Sequence, residues 1–263
     1  MKYQGAVFFD YDGTLADEKA GIFAPTPQSC AALAALSANG YLAVLATGRA
    51  KCYVPRTDAV FDGYVTTNGA YAEIHGQKIY EEFLNKEDLR QFMQAMDALG
   101  LYYSLEDQDA CYAKDRDQKE FRQMLDNFKI PLEIFHPLSE MRELNASKLL
   151  MAYQEEWQFE QLAEQFRDKF GIYKHRFNKS ADVNAAGMTK AVGARAIIRH
   201  FGIPRENTYA IGDGANDYDI LKLVGHGIAM EKHAACLDGV AELVTAGVAE
   251  EGIYRALKAY KLI

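Results

Sequence analysis

The amino-acid sequence predicts an α/β fold, a Rossmann-like parallel-sheet core with an inserted α+β domain. Short apolar runs alternate with helical patterns at both ends of the chain, which is typical of parallel strands covered by helices on both faces. Between about residues 84 and 186 the pattern changes to paired strands with few strand–helix–strand units. A chain of 263 residues allows one large domain or two small ones.

The first part of the chain predicts a strand–helix–strand unit. Residues 6–9 are wholly apolar, as expected of a central buried strand. The Ala/Leu-rich stretch 31–36 predicts a helix that Asn39-Gly40 closes, and residues 41–46 predict the second strand, which ends at Thr47. Sheets of this type bind ligands outside the carboxyl ends of their strands, where the polar residues lie.

The inserted domain is expected to begin with a helix capped by Asn85 and ended by Gly100. The elements predicted after it are a hairpin within 101–113, a helix near 117–128, a strand near 147–153, a long helix containing Phe159, Leu162, Phe166 and Phe170, and two short strands near 172–185.

The α/β alternation resumes after Gly187. A helix is predicted over 188–201, a strand over 207–211 and, after another helix, strands over 227–230 and 241–244. One core is therefore expected to form from residues 1–83 and 187–263, with the insert at 84–186.

Composition excludes several classes of protein. A net charge of −8 argues against a chain built to neutralise nucleic-acid phosphates, and no apolar run reaches the roughly 18 residues of a membrane span. The apolar stretch at the N-terminus is shorter than a signal peptide requires and is expected to be a buried strand, so the expected location is the cytoplasm. The cysteines lack the C-x-x-C spacing of zinc or dithiol sites, and we expect reduced thiols at Cys30, Cys52, Cys111 and Cys236.

The first polar cluster is Asp10-Tyr11-Asp12-Gly13-Thr14. One interpretation is a turn, because Asp-Gly is a common turn pair. The other is catalytic, because carboxylates at i and i+2 after a strand project the same way. One carboxylate could then attack phosphorus while the other handles the proton of the leaving group.

The second polar cluster contains Asp213 at the end of a strand, then Asn216 and Asp217. These oxygen ligands suit a hard cation such as Mg²⁺. The loop is not an EF-hand, because position 6 of such a loop would be Tyr218 rather than Gly, and position 12 would be Val224 rather than Glu. The alternative is a helix N-terminus whose acidic residues complement the dipole.

Three further residues are candidates for binding phosphate. Thr47 offers a hydroxyl and adjoining N–H groups, and Gly48 lets an anion approach the backbone. Lys190 opens the helix that follows the insert. The alternatives are a plain helix N-cap for Thr47 and a solvated surface position for Lys190.

The motifs Asp-x-Asp, Thr, Lys and Asp-x-x-x-Asp follow one another along the chain, and each is expected at the carboxyl edge of the sheet. With its motifs in this order, the chain resembles the haloacid dehalogenase superfamily. It is similar in particular to the Cof-type sugar-phosphatase branch, which carries a large α/β cap after the second motif. The resemblance covers essentially the whole core and includes Asn68-Gly69-Ala70. It implies a catalytic core at 1–83 and 187–263 and a cap domain at 84–186.

The resemblance also implies a role for each motif residue. Asp10 resembles the nucleophile that becomes an aspartyl-phosphate, and Asp12 resembles the general acid and base, which also offers its backbone carbonyl to Mg²⁺. The implied phosphate-binding residues are Thr47, Gly48, Lys190 and Asn216. The implied metal ligands are Asp10, Asp12 and Asp213, with Asp217 in support.

The implied activity is a Mg²⁺-dependent phosphatase acting on a small phosphorylated metabolite, with no nucleic-acid or membrane partner. The sequence does not give the oligomeric state, and a monomer fits it. Where the family continues Gly-Asn-Ala this chain has Glu231-Lys232-His233, which puts substrate preference in doubt. The candidates for substrate specificity are Asn68, Gly69, Arg176 and Glu231, with His175, Asn178 and Lys179 as further cap candidates.

Three other functions remain open at this point. A phosphomutase on the same fold would return the phosphoryl group to substrate. A ligand sensor would not need the acid/base Asp12. A metal-dependent glycosyltransferase using Asp-x-Asp is disfavoured by the second Asp cluster and by Lys190.

Overall fold

The computed structural model describes residues 3–127, 130–175 and 178–263, which form two compact units. The first consists of the described residues within Met1–Gly48, Pro55–Tyr80 and Thr189–Ile263. The second consists of those within Arg49–Val54 and Glu81–Met188. The predicted fold class is confirmed, since a mainly parallel sheet is accompanied by a second, mixed sheet.

The strands of the described chain are β1 (Gly5–Phe9), β2 (Tyr41–Ala46), β3 (Gly63–Thr66), β4 (Tyr71–Ile74), β5 (Gln77–Glu81), β6 (Tyr102–Glu106), β7 (Cys111–Ala113), β8 (Phe135–Pro137), β9 (Lys148–Ala152), β10 (Phe170–Lys174), β11 (Ser180–Ala185), β12 (Thr208–Gly212), β13 (His226–Ala229) and β14 (Leu243–Val244). The α-helices are α1 (Pro27–Ala38), α2 (Lys86–Ala98), α3 (Lys119–Asn127), α4 (Glu156–Gln165), α5 (Lys190–Phe201), α6 (Tyr218–Leu223) and α7 (Gly252–Ala259). In the part of the chain that the structure describes, no helix has both the length and the apolar character needed to cross a membrane.

The sheet of the first unit has the order β14-β13-β12-β1-β2-β3-β4-β5. The strands from β14 to β3 are parallel, and β4 is antiparallel to β3. Phe9 at the end of β1 pairs with Ile211 of β12 on one side and with Leu45 of β2 on the other. The segments that follow these three strands therefore leave the sheet at one edge, which brings the predicted motifs together.

Strand β1 lies at the centre of the sheet, and all five of its residues are buried. Phe8 belongs to the same core cluster as Val44 of β2 and Ala210 of β12, and the apolar face of α5 joins this cluster through Ala194 and Ile197. A strand that is apolar on both faces is stable only when both faces are covered, as they are in a parallel α/β sheet.

Strands β3, β4 and β5 do not appear in the sequence prediction, and neither does β8. The connection between β4 and β5 is a two-residue turn in which His75 and Gly76 both have positive φ, of +49° and +76°. Such turns match the twist of a hairpin. The pattern from 63 to 81 is too interrupted by Gly, Thr and Asn to indicate strands by itself.

Helix α4 ends at Gln165 and is shorter than predicted, since Phe170 begins β10. The helical spacing of Phe166 and Phe170 has another cause. Both rings pack on Phe92 of α2, with centroid separations of 4.9 and 5.3 Å. One aromatic cluster therefore spans the helix end and the following strand.

The second unit contains a sheet of order β10-β11-β9-β6-β7-β8, in which only the β7–β8 pair among those described is parallel. Helix α2 packs on one face through Leu89, Phe92 and Met96. Its N-terminus is as predicted, because the Asn85 side chain accepts hydrogen bonds from the N–H groups of Glu87 and Asp88.

The other face of this sheet carries a buried ion-pair network. Lys148 Nζ lies 3.0 Å from Glu106 Oε2 and 3.0 Å from Asp182 Oδ1. Tyr53 donates a hydrogen bond of 2.6 Å to Glu106. Burial alone would raise the pKa of Asp182, but Lys148 and His175 outweigh it and lower that pKa. Ionic contacts thus join β6, β9 and β11 within the second unit.

Candidate active site

Asp10 follows β1 directly and lies at the edge where the three central strands end. It is 6% exposed, and its N–H donates to the carbonyl of Ile211 at 2.9 Å, which continues the pairing of β1 with β12. Asp12, two residues on, is exposed. The carbonyl of Tyr11 accepts hydrogen bonds from the N–H groups of Leu15 and Ala16, so the chain turns sharply within the motif. The first motif is therefore a turn and also presents two carboxylates.

Gly13 and Thr14 connect the first motif to Asp213. Gly13 has a φ of +90°, and a Cβ at this position would lie 2.2 Å from Asp213 Oδ2. Any side chain would therefore be strained and would collide with the carboxylate. The Thr14 hydroxyl donates to Asp213 Oδ1 at 3.0 Å. Sequence reasoning assigned no role to Thr14, although its place in the Asp-x-Asp-Gly-Thr motif was a signal.

Lys190, the first residue of α5, is fully buried, so it is not a solvated surface lysine. Its Nζ lies 2.6 Å from Asp10 Oδ1 and 2.6 Å from Asp217 Oδ1. Burial alone would lower the pKa of this ammonium group, but Asp10 and Asp217 outweigh burial and raise that pKa. Lys190 is therefore a charged group between two carboxylates.

Asp217 holds the second motif in shape. Its Oδ2 accepts hydrogen bonds from the N–H groups of Asp213 and Gly214 at 3.0 and 2.9 Å, while its Oδ1 accepts from Lys190. Asn216 in the same loop is exposed. With both of its oxygens bonded, Asp217 orients the loop that carries Asp213 and fixes Lys190.

The three carboxylates form a group that suits a divalent cation. Oxygen atoms of Asp10, Asp213 and Asp217 all lie within 4.8 Å of one another. Burial, together with the charge of Asp217, raises the pKa of Asp10 well above its usual value and raises that of Asp213 to about 7. One lysine does not balance this charge, and hard carboxylate oxygens are the ligands that Mg²⁺ prefers. The residues present therefore fit a divalent cation such as Mg²⁺, which this group of carboxylates could hold.

We expect Asp213→Asn to stabilise the chain when a chelator keeps metal away. The folded chain holds a proton on Asp213 up to about pH 7, whereas the ordinary pKa is 3.8, so stability falls as pH rises through this window. Asparagine keeps an oxygen for Thr14 and removes the repulsion. Thermal unfolding should show a larger gain in Tm at about pH 8 than at about pH 5. An equal gain at both values would contradict the assigned charge repulsion.

Thr47 is buried at the end of β2 and does not cap an α-helix, because the next helical turn is a 3-10 turn that begins at Lys51. Its N–H donates to the carbonyl of Val65 at 2.9 Å, and its carbonyl accepts from the N–H of Asn68 at 3.2 Å. The amide of Thr47 thus belongs to the sheet. Gly48 follows it and is half-buried.

The residues expected to select substrate lie in different places. Asn68 and Gly69 form a buried turn after β3, and Glu231 is exposed after β13. Arg176 lies outside the described residues. In the second unit, the remaining candidates already contact neighbours: His175 contacts Ser180, Asn178 contacts Asn127, and Lys179 contacts the carbonyl of Gln154.

Comparison with known proteins gives concordant matches along the whole chain. A family model described as haloacid dehalogenase-like hydrolase matches residues 7–257. "Putative phosphatase YkrA" of Bacillus subtilis is 27% identical over 263 residues, which cover 98% of each chain. A Streptococcus pyogenes protein named "Putative bifunctional phosphatase/peptidyl-prolyl cis-trans isomerase" is 28% identical over 98% of this chain. The match covers 54% of that relative, so the chain spans about half of its length.

A solved structure supports the same relationship. The HAD subclass IIB sugar phosphatase BT4131 superposes with a TM-score of 0.84 at 26% identity, covering 98% of this chain and 100% of that chain. This similarity of fold agrees with the family match, which runs from residue 7 to residue 257. The chain therefore belongs to the haloacid dehalogenase-like hydrolase family, as the resemblance in its sequence implied.

Proposed function

We propose that the chain is a Mg²⁺-dependent phosphatase that hydrolyses small phosphorylated metabolites through an aspartyl-phosphate on Asp10. The observation that carries the proposal is the position of Lys190, fully buried and 2.6 Å from both Asp10 and Asp217. A buried cation held against a carboxylate at a strand end suits the attack of that carboxylate on an anionic phosphate, because it offsets the repulsion between the two.

In the first step an oxygen of Asp10 attacks phosphorus, and the bond from phosphorus to the leaving oxygen breaks. Lys190 donates to Oδ1 of Asp10, so we assign Oδ2 as the attacking atom. Asp12 is exposed two residues further on, and in the proposal it gives a proton to the leaving alkoxide. The products of this step are the free alcohol and a phosphoryl group bonded to Asp10.

In the second step water attacks phosphorus after giving a proton to Asp12, which now acts as base. The bond from phosphorus to Asp10 breaks, and inorganic phosphate leaves. Bound Mg²⁺ supplies a positive charge that offsets the charge of the phosphoryl oxygens. Thr47, Gly48 and Asn216 are proposed to bind the phosphoryl group, and Lys190 to offset its charge. Monoester hydrolysis needs up to ~10²¹-fold acceleration, so both positioning and charge neutralisation are required.

We propose sugar phosphates or similar metabolites as substrates. The relative BT4131 is named a sugar phosphatase, and its match covers both units of this chain. The second unit, with its own sheet and hydrophobic core, is proposed to be the cap domain near 84–186 that the resemblance implied. In this proposal the cap restricts the enzyme to small substrates.

The test is a screen for phosphate release from a panel of sugar phosphates and other small phosphate monoesters. We expect release with Mg²⁺, a fall to background in excess chelator, and recovery when Mg²⁺ is restored. A folded phosphoprotein, tested as a substrate under the same conditions, should keep its phosphate. Full activity in chelator would refute the metal requirement. Conversion of one sugar phosphate to its isomer, with no free phosphate, would identify a phosphomutase.

A further inference from the structure

The N-terminus of α5 sits against the turn after β3 through direct contact of main chain with main chain. Gly69, in that turn, has a φ of +101°, and a Cβ on it would lie 2.1 Å from the carbonyl oxygen of Thr189 and 3.2 Å from Cα of Lys190. The backbone that carries Lys190 is therefore held at a distance that leaves no room for a side chain at position 69.

Gly193 lies one helical turn after Lys190, on the same side of α5. A Cβ there would lie 2.7 Å from Cγ1 of Val65 and 3.0 Å from the carbonyl oxygen of Gly69. Val65 is fully buried in β3 and β-branched, so its methyl group has little freedom to move away. Alanine at 193 would push the first turn of α5 away from the sheet.

Glycine is a poor helix former, and alanine is the best. Gly193 nevertheless occupies the fourth position of α5 and is buried. The close contacts with Val65 and Gly69 account for the exception, because only glycine lets the helix approach this far. Lys190 extends from the same first turn of α5 and makes its two contacts of 2.6 Å from this position.

We propose that Gly193 is a positioning residue, whose missing side chain seats the first turn of α5 against Val65 and Gly69 so that Lys190 reaches Asp10 and Asp217. The expected effect of Gly193 on activity rests on the proposed function. The packing itself is independent of that function and can be measured separately.

The experiment compares Gly193→Ala with wild type in phosphate release under Mg²⁺. Misplacing a catalytic group by about 1 Å can lower rates by about 10²-fold, so we expect kcat to fall by about 10- to 100-fold. Inorganic phosphate should also inhibit more weakly. The double variant Gly193→Ala/Val65→Ala removes the clashing methyl group and should recover most of the lost kcat. Gly239→Ala is the matched control, because a Cβ there meets nothing within 4 Å.

A second measurement does not depend on activity. A brief pulse of acetic anhydride, followed by peptide mass spectrometry, reports how well Lys190 is shielded. Wild type and Gly239→Ala should protect Lys190, Gly193→Ala should expose it, and adding Val65→Ala should restore protection. Thermal unfolding checks that each variant is folded at the assay temperature.

The outcomes separate the two claims. A folded Gly193→Ala that keeps wild-type kcat and wild-type protection of Lys190 overturns the positioning role. So does a loss of kcat that Val65→Ala does not relieve, if Lys190 stays protected. If wild type releases no phosphate from any substrate, the proposed function fails, and the acetylation pattern alone decides the role of Gly193.

Discussion

Asp10→Asn is expected to reduce phosphate release by several orders of magnitude, because it removes the atom that attacks phosphorus. The amide is a poor nucleophile, and no aspartyl-phosphate can form at this position. The substitution also removes one of the carboxylates proposed to bind Mg²⁺ and one of the two carboxylates that contact Lys190. Side-chain volume is nearly unchanged, so we expect the fold to persist.

The matched comparison is Asp12→Asn, which keeps the nucleophile but removes the proton donor. General acid–base catalysis is typically worth ~10²–10⁴-fold, and its loss should depend on the leaving group. An aryl phosphate, whose phenolate leaves without a proton, should suffer less than a sugar phosphate. The measurement is the ratio of rates for the two substrates in wild type and in each variant. Near-normal turnover by Asp10→Asn would rule out the covalent mechanism. Equal slowing of both substrates by Asp12→Asn, with formation of the aspartyl-phosphate still rate-limiting, would rule out Asp12 as the acid.

Lys190→Met is expected to have the second largest effect, on activity and on stability together. The substitution leaves Asp10 and Asp217 buried without the cation between them. Removing one partner of a buried ion pair typically costs about 3–5 kcal/mol, which corresponds to a fall in Tm on the order of 10 °C for a chain of this size. Without Lys190 the pKa of Asp10 should rise further, so the nucleophile should be protonated more of the time.

A second substitution separates these two effects of Lys190. Lys190→Met/Asp217→Asn removes one of the uncompensated charges and should recover part of the lost Tm without recovering phosphate release. Lys222→Met is the control, because Lys222 is an exposed lysine of the same unit and should tolerate the change. Thermal unfolding and initial rates with saturating Mg²⁺ give the two readouts. Wild-type activity in a folded Lys190→Met would remove Lys190 from the mechanism.

Much of the candidate site could be predicted because its residues lie beside strand ends that the sequence marks clearly. Residues 41–46 form β2 as predicted, and Asp10, Thr47 and Asp213 follow three neighbouring parallel strands of one sheet. Strands that are buried on both faces produce continuous apolar runs, and polar residues that interrupt such runs stand out. The order of the motifs then pointed to the family, which the matches establish.

The end of α4 and the buried ion pairs of the second unit could not be predicted from sequence patterns, because they depend on tertiary contacts. The helical spacing of Phe166 and Phe170 comes from a shared contact with Phe92, and α4 ends before either residue. The ion-pair network of Glu106, Lys148 and Asp182 joins three strands whose polar residues look like ordinary exposed positions in sequence.

By itself the sequence determined the fold class, the motifs at the carboxyl ends of β1, β2 and β12, and the residue types able to attack phosphorus and bind Mg²⁺. These features depend on hydrophobic periodicity and on local order along the chain. Only the tertiary structure decided that Lys190 is fully buried against Asp10, 180 residues away, and Asp217, 27 residues away. It also decided that Gly193 must have no side chain, because Val65 and Gly69 come within 3 Å of where a Cβ would lie. Such distances depend on how segments remote in sequence pack together, and no local pattern encodes them.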